Sequence, residues 1–151
     1  MAVVVTIGYL ALQVRQNTAV LRAQSRQQVV QSYREYMGHF ISDPTLNGTL
    51  LEGLRSYPAL DLLTRQRFYN LITDLALHFQ SAVALFESRS LDEATFRAYR
   101  DHFASLLATP GGAAFWEQVR LTYPRHVVAS VEERLESGSV PDALANPTWG
   151  E

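Results

Sequence analysis

The side chains best suited to chemistry in this chain are four histidines and the carboxylates near them. His39, His78, His102 and His126 could ligate a metal or move protons near neutral pH. Two of them follow an acid by four residues, as Glu35/His39 and Asp74/His78. That spacing brings both groups onto one helix face, where it serves a local hydrogen bond or ion pair equally well. A metal site needs converging ligands, and neither H-E-x-x-H nor E-x-x-H occurs. Cysteine is absent, which removes disulfides, thiolate ligands and cysteine nucleophiles. Nor does the chain contain a G-x-S-x-G elbow, an S-x-x-K pair or a glycine-rich phosphate loop after a strand. In Pro110–Gly112, the glycines Gly111 and Gly112 could present backbone amides to an anion, but a cap at Thr109 followed by a turn explains the stretch. No catalytic residue, cofactor or metal ligand is therefore expected, and the chain does not read as an enzyme.

The elements that would have to position these groups are helices. Apolar residues recur at three- and four-residue spacing, and no stretch alternates long enough for a strand. A first helix is expected over about Val3–Ile41, its second half carrying Val29, Tyr33, Tyr36, Met37 and Phe40 on one face. Asp43 can cap a second helix, Pro44–Arg55, with Pro44 at its first position. From Asp61 to Ser88 comes the strongest stripe: Phe68, Leu71, Ile72, Leu75, Phe79, Ala82, Val83 and Phe86. Leu77 and Leu85 lie off it, so this helix is expected to be central and covered on more than one side. Ser90 and Glu93 have capping-box spacing for the next helix, which buries Phe96, Tyr99, Phe103 and Leu107. A short helix carries Phe115, Trp116 and Val119. Pro124 keeps Tyr123 extended, so a last helix begins near Arg125 and ends before Gly138. The sum is an all-α, antiparallel helical bundle of five to six helices with a long N-terminal helix. Residues 1–28 are read as an apolar and basic part of the first helix, 29–137 as the helical domain, and 138–151 as a loose tail. The four histidines fall on four different helices.

Composition fits one domain: 151 residues, 47% apolar, 19% charged, net charge −2. Such a balance gives the whole molecule no pull toward nucleic acid, and no exposed aromatics interleave with basic residues. The aromatic residues on the central helices fit a core better than a pocket. Charge is nonetheless uneven. All 13 basic residues are arginine, and residues 1–34 hold four of them with no acid. Ala2–Val14 is uncharged and apolar all round, and such a helix needs cover on every side. It would rise only about 20 Å, against roughly 30 Å of bilayer hydrocarbon. Tyr9 stands near the end of the run and Arg15 just beyond it, as interfacial anchors do. Arg15, Arg22 and Arg26 fall within about 40° of one another on a helix of 3.6 residues per turn.

The stretch YLALQVRQNTAVLRAQ, Tyr9–Gln24, resembles the start of a family of uncharacterised bacterial proteins, domains of unknown function. In these an N-terminal membrane helix runs into Q-[IV]-R-Q-N-T-x-A-L-[RK]-like sequence and then a helical domain. ALFESRSLDEATF (Ala84–Phe96) and TPGGAAFWEQVR (Thr109–Arg120) match later signposts of the same family, so the resemblance spans nearly the whole chain. Two departures stand out: the apolar run is shorter than the family's, and Gln80 occupies a position where the family has an acid. The resemblance implies placement rather than chemistry. Ala2–Val14 is expected to be the inner end of a truncated spanning helix, with Tyr9, Arg15, Arg22 and Arg26 at the membrane interface and lipid headgroups as partners. Positive charge next to a membrane helix stays in the cytoplasm, so the domain is expected on the cytoplasmic side of the inner membrane. There it would act through contacts with an unidentified protein partner. The alternative expectation is a soluble bundle that binds a small ligand or metal between its helices.

Overall fold

The computed structural model of the chain describes residues 2–138 and 140–145, with side chains from Thr6 onward. It is an all-α bundle of six helices, and among the described residues there is no strand. The helices are α1 (Ala2–Ser42), α2 (Thr45–Ser56), α3 (Leu62–Glu87), α4 (Glu93–Leu107), α5 (Pro110–Val119) and α6 (Arg125–Glu136). Short 3₁₀ turns cover Tyr57–Ala59, Arg120–Thr122 and Ala143–Ala145.

Each break in the chain has a local cause. Asp43 Oδ1 accepts from the Thr45 amide at 3.0 Å, but Pro44 stays outside the helix, so α2 starts one residue later than expected. Asp61 caps α3, its Oδ1 accepting from the amides of Leu63 at 2.9 Å and Thr64 at 3.1 Å. Arg65 in the first turn reaches back to donate to the carbonyls of Pro58 and Leu60, which fixes the approach to α3. The expected capping box of Ser90 and Glu93 does not form. Asp92 is the cap instead, accepting from the Thr95 amide at 2.9 Å, and Glu93 pairs with Arg97 on the exposed face. The reason is Leu91, which is buried at 4% exposure and carries the chain inward before α4 can begin. Thr109 caps α5 through the Gly112 amide at 3.0 Å. Tyr123 is extended (φ −94°, ψ 155°) ahead of Pro124, and α6 follows at Arg125.

The core runs along α3. Phe68, Ile72, Leu75, Ala76, Phe79, Ala82 and Val83 are buried along it, and α3 packs on α1, α2 and α4. The expectation that α3 is covered beyond its stripe holds in part. Leu85 is half-buried, but Leu77 is 52% exposed, because no helix lies on that side. On α4, Phe96, Phe103 and Leu107 are buried, and Tyr99 is half-buried. Val127 and Val131 close the bundle from α6, which is tied to α4 where Arg134 Nε donates to Asp101 Oδ1 at 2.6 Å. The expected loose tail lies partly outside the described residues. Within them, Ala143 and Leu144 are half-buried against the core, so this part of the tail is docked.

The two halves of α1 differ sharply. Val29, Tyr36 and Phe40 are buried against the bundle. Three tyrosine hydroxyls fasten this half: Tyr36 donates to the Leu71 carbonyl at 3.3 Å, Tyr99 donates to the Val29 carbonyl at 3.2 Å, and Tyr33 is 2.9 Å from His102 Nε2. From Thr6 to Gln24 every residue is exposed.

Candidate functional site

Two regions combine exposure or polarity with defined geometry: the exposed half of α1 with the groove at its base, and the polar seam where α1 meets α4.

Along the exposed half, Ile7, Tyr9, Leu10, Leu12 and Val14 are 52–64% exposed, and so are Val20 and Leu21 at 55% and 60%. Ile7, Leu10, Val14 and Leu21 fall within about 60° of one another on the helix, and Tyr9, Leu12 and Val20 lie on the opposite side, so no single docking stripe covers them all, and the bundle covers none. The bundle therefore does not supply the cover that an apolar helix of this kind needs, for the residues whose side chains are described. Among the described residues no helix is long and apolar enough to cross a membrane. Tyr9 accepts a hydrogen bond at its hydroxyl from Gln13 Nε2 at 3.2 Å, and Arg15 is exposed.

Arg22 and Arg26 are not merely a solvated stripe. They form one wall of a groove of about 580 Å³ whose other wall is the turn between α3 and α4. Phe86 and Leu91 supply apolar surface, and Arg89 adds a third guanidinium, with Glu87 and Asp92 at the edge. Arg22 Nε donates to the Arg89 carbonyl at 3.0 Å, bridging residues 67 apart in the chain. Arg89 was not singled out by sequence reasoning. It closes α3 in a left-handed conformation (φ 58°), with the Ser90 amide donating to Leu85 O at 2.8 Å and its own amide to Phe86 O at 2.9 Å. This is the helix-ending motif whose left-handed position is usually glycine. An arginine there is a signal that the sequence carried, but only for a reader who had already located the end of α3.

The histidines are not brought together. His39 and His126 are exposed. His78 Nε2 is 3.8 Å from Asp74 Oδ2 and edge-on to the Tyr36 ring, while Glu35 accepts from Gln31 rather than from His39. Among the described residues no group of three or more His, Asp or Glu could hold one metal ion. His102 sits half-buried in the α1–α4 seam, hydrogen-bonded to the Tyr33 hydroxyl and set edge-on to its ring. Beside it are a recess of about 50 Å³ between α1, α2, α3 and α4 and an open hollow of about 200 Å³ lined by Tyr33, Ala98, Tyr99 and His102. Both fall short of organic-ligand sites, which run to roughly 300 Å³ and more.

Burial holds the His102 imidazole below its ordinary pKa of 6.5, and burial together with Tyr99 holds the Tyr33 hydroxyl above its own. A histidine depressed in the folded state binds its proton more readily when the chain is unfolded. Its contribution to stability is therefore present above pH 6.5 and is lost as pH falls from there through the folded value. Chemical denaturation across that window is expected to show stability falling with pH in the wild type, and falling less in His102→Gln. Parallel profiles for the two proteins would mean that His102 titrates as it does in water.

Compared with known protein families, with curated proteins and with solved structures, the chain finds no match in any of the three.

Proposed function

We propose that this chain is a membrane-anchored helical domain of the kind its opening sequence resembles, acting through protein contacts rather than by catalysis. One observation carries the reading: on the exposed half of α1, Ile7, Leu10 and Val14 share one face with Leu12 opposite them, the bundle covers none of them, and the apolar stretch ends at Arg15. Contiguous exposed apolar surface of this kind marks a membrane or protein interaction site. Burial of each such side chain is worth roughly 1.5–3 kcal/mol, so four of them in a hydrocarbon phase amount to roughly 10 kcal/mol. Tyr9 and Arg15 then stand where amphipathic and cationic anchors are favoured. The docked half of α1 serves as a rigid stalk, held to α3 and α4 by its tyrosines, so that the helical domain rides directly on the bilayer. Arg15, Arg22 and Arg26 on the domain side of the apolar segment favour a cytoplasmic domain in a bacterial cell.

Fractionation tests the anchor. The wild-type chain is expected in the membrane fraction, and Leu10→Glu/Val14→Glu is expected to move it to the soluble fraction with its helical content unchanged. Wild-type protein found wholly in the soluble fraction would refute the anchor. A reporter active only in the periplasm, fused after Glu151, is expected to stay silent; strong activity would reverse the sidedness.

A further inference from the structure

The groove between α1 and the α3–α4 turn has the features of a built anion site. Arg22 approaches from one side with its Nε committed to the Arg89 carbonyl, which leaves its two terminal nitrogens without a hydrogen bond among the described residues. Arg26, one turn on, and Arg89, opposite, make no hydrogen bond through their guanidinium groups among the described residues. Three arginines thus line about 580 Å³, and apart from Arg22 Nε their guanidinium donors make no hydrogen bond among the described residues. Of the two acids at the edge, Asp92 accepts from the Thr95 amide at 2.9 Å and hydroxyl at 2.8 Å and also feels the charge of Arg26, which it partly offsets. Glu87 is exposed and stands at the rim. The apolar floor of Phe86 and Leu91 lowers the local dielectric and strengthens whatever charge pairing occurs above it. Arginine's planar fork matches the oxygens of a phosphate in a way an ammonium does not.

Placement indicates where that phosphate comes from. Arg22 lies about 10 Å along α1 from Arg15, at 1.5 Å per residue. Helical side chains lean toward the N-terminus, which here is the apolar end, so Arg22 and Arg26 lean toward that side. A headgroup layer is roughly 5–7 Å deep on each side of the bilayer. With Arg15 at the hydrocarbon edge, the backbone of Arg22 stands a few ångströms beyond that layer, and its long side chain spans the difference to reach headgroups. The conformation of Arg89 adds an independent hint. A left-handed position that glycine would occupy without strain is held by an arginine instead, and strained positions of this kind concentrate at functional sites.

Resting on the membrane reading above, we infer that Arg22, Arg26 and Arg89 form a binding site for the phosphate of an anionic lipid headgroup. The site would make membrane attachment selective for anionic lipid, beyond what the apolar segment supplies.

Flotation of the full chain with vesicles of phosphatidylcholine alone, or of phosphatidylcholine mixed with phosphatidylglycerol, separates the two contributions. Binding to the neutral vesicles reports the apolar segment; the gain on adding phosphatidylglycerol reports the groove. Arg26→Gln and Arg89→Gly are each expected to cut that gain about fivefold, the effect of one arginine near an anionic surface, while neutral binding stays as in the wild type. Arg89→Gly is also expected to raise the denaturation midpoint by relieving the left-handed position, so a loss of binding there cannot be a loss of folding. Arg26→Lys and Arg89→Lys keep the charge without the fork and are expected to recover little of the gain. Arg125→Gln, on the exposed start of α6, is expected to change nothing. Full recovery with lysine, or an equal loss with Arg125→Gln, would overturn the site in favour of diffuse charge. A phosphatidylglycerol gain without any neutral binding would keep the site and refute the apolar anchor. Absence of binding to both vesicles would refute both.

Discussion

Phe79→Ala is expected to cost about 3–5 kcal/mol of folding stability, a large share of the 5–15 kcal/mol that typically holds such a domain together. Phe79 is 1% exposed at the middle of α3. Its ring stacks against Phe103 at 5.3 Å and against Phe96 at 6.2 Å, and Phe96 stacks in turn on Phe86 at 4.2 Å. The array is the seam between α3 and α4, so truncating its central ring removes contacts from both helices at once. Rings held on two sides by other rings collapse poorly into the space left behind, which pushes the cost toward the upper end. Urea or guanidinium unfolding should show a lower midpoint with an unchanged slope. Leu77→Ala, on the same helix but 52% exposed, is expected within about 0.5 kcal/mol of the wild type. Equal effects at positions 77 and 79 would mean that α3 packs on a different face.

That contrast shows what the sequence could and could not reveal. The stripe on α3 was legible because burial follows the 3.6-residue period, and Phe68, Ile72, Leu75, Phe79 and Val83 all keep to it. The fate of Leu77 was not legible. Apolar residues off a stripe imply a second covering helix, but whether one exists depends on where α4 and α6 end up, which no local period encodes. The start of α4 was misplaced for a related reason. Ser90 and Asp92 are both good caps, and the choice between them was made by the burial of Leu91, a tertiary contact. At the candidate site, Arg22 and Arg26 were legible from spacing on one helix. Arg89 was not, because its membership depends on a turn that returns to α1 from far along the chain. Pro110, Gly111 and Gly112 were read as capping and a turn, which accounts for Thr109 and Pro110 but not for the glycines. Their reason is space, and space between helices has no signature in one segment alone.

Gly111 carries the sharpest consequence of that space. A Cβ placed on it would lie 1.8 Å from the backbone carbonyl oxygen of Gly53 and 2.8 Å from the carbonyl of Leu54, so α5 crosses α2 backbone against backbone. On the α2 side the fit is equally close: a Cβ on Gly53 would fall 1.9 Å from the Phe68 ring. Neither glycine has a positive φ, so the constraint is steric rather than conformational. Overpacking in a core usually costs about 1–3 kcal/mol because a neighbouring side chain gives way. At Gly111 the neighbour is the main chain of another helix, and only separation of α2 from α5 can make room. That movement would loosen Leu54, Phe68 and Phe115, each 0% exposed. Gly111→Ala is therefore expected to cost about 3 kcal/mol or more, at the top of the overpacking range. Alanine's better helix propensity offsets at most about 1 kcal/mol of it. Gly48, on α2 itself, isolates the propensity effect, because a Cβ there would meet nothing within 4 Å. Gly48→Ala is expected to stabilise the protein by about 0.5–1 kcal/mol. Opposite signs for these two glycine-to-alanine changes, measured by chemical denaturation, are what a backbone-close α2–α5 crossing requires. A neutral or stabilising Gly111→Ala would show that the two helices pack through side chains at a greater distance.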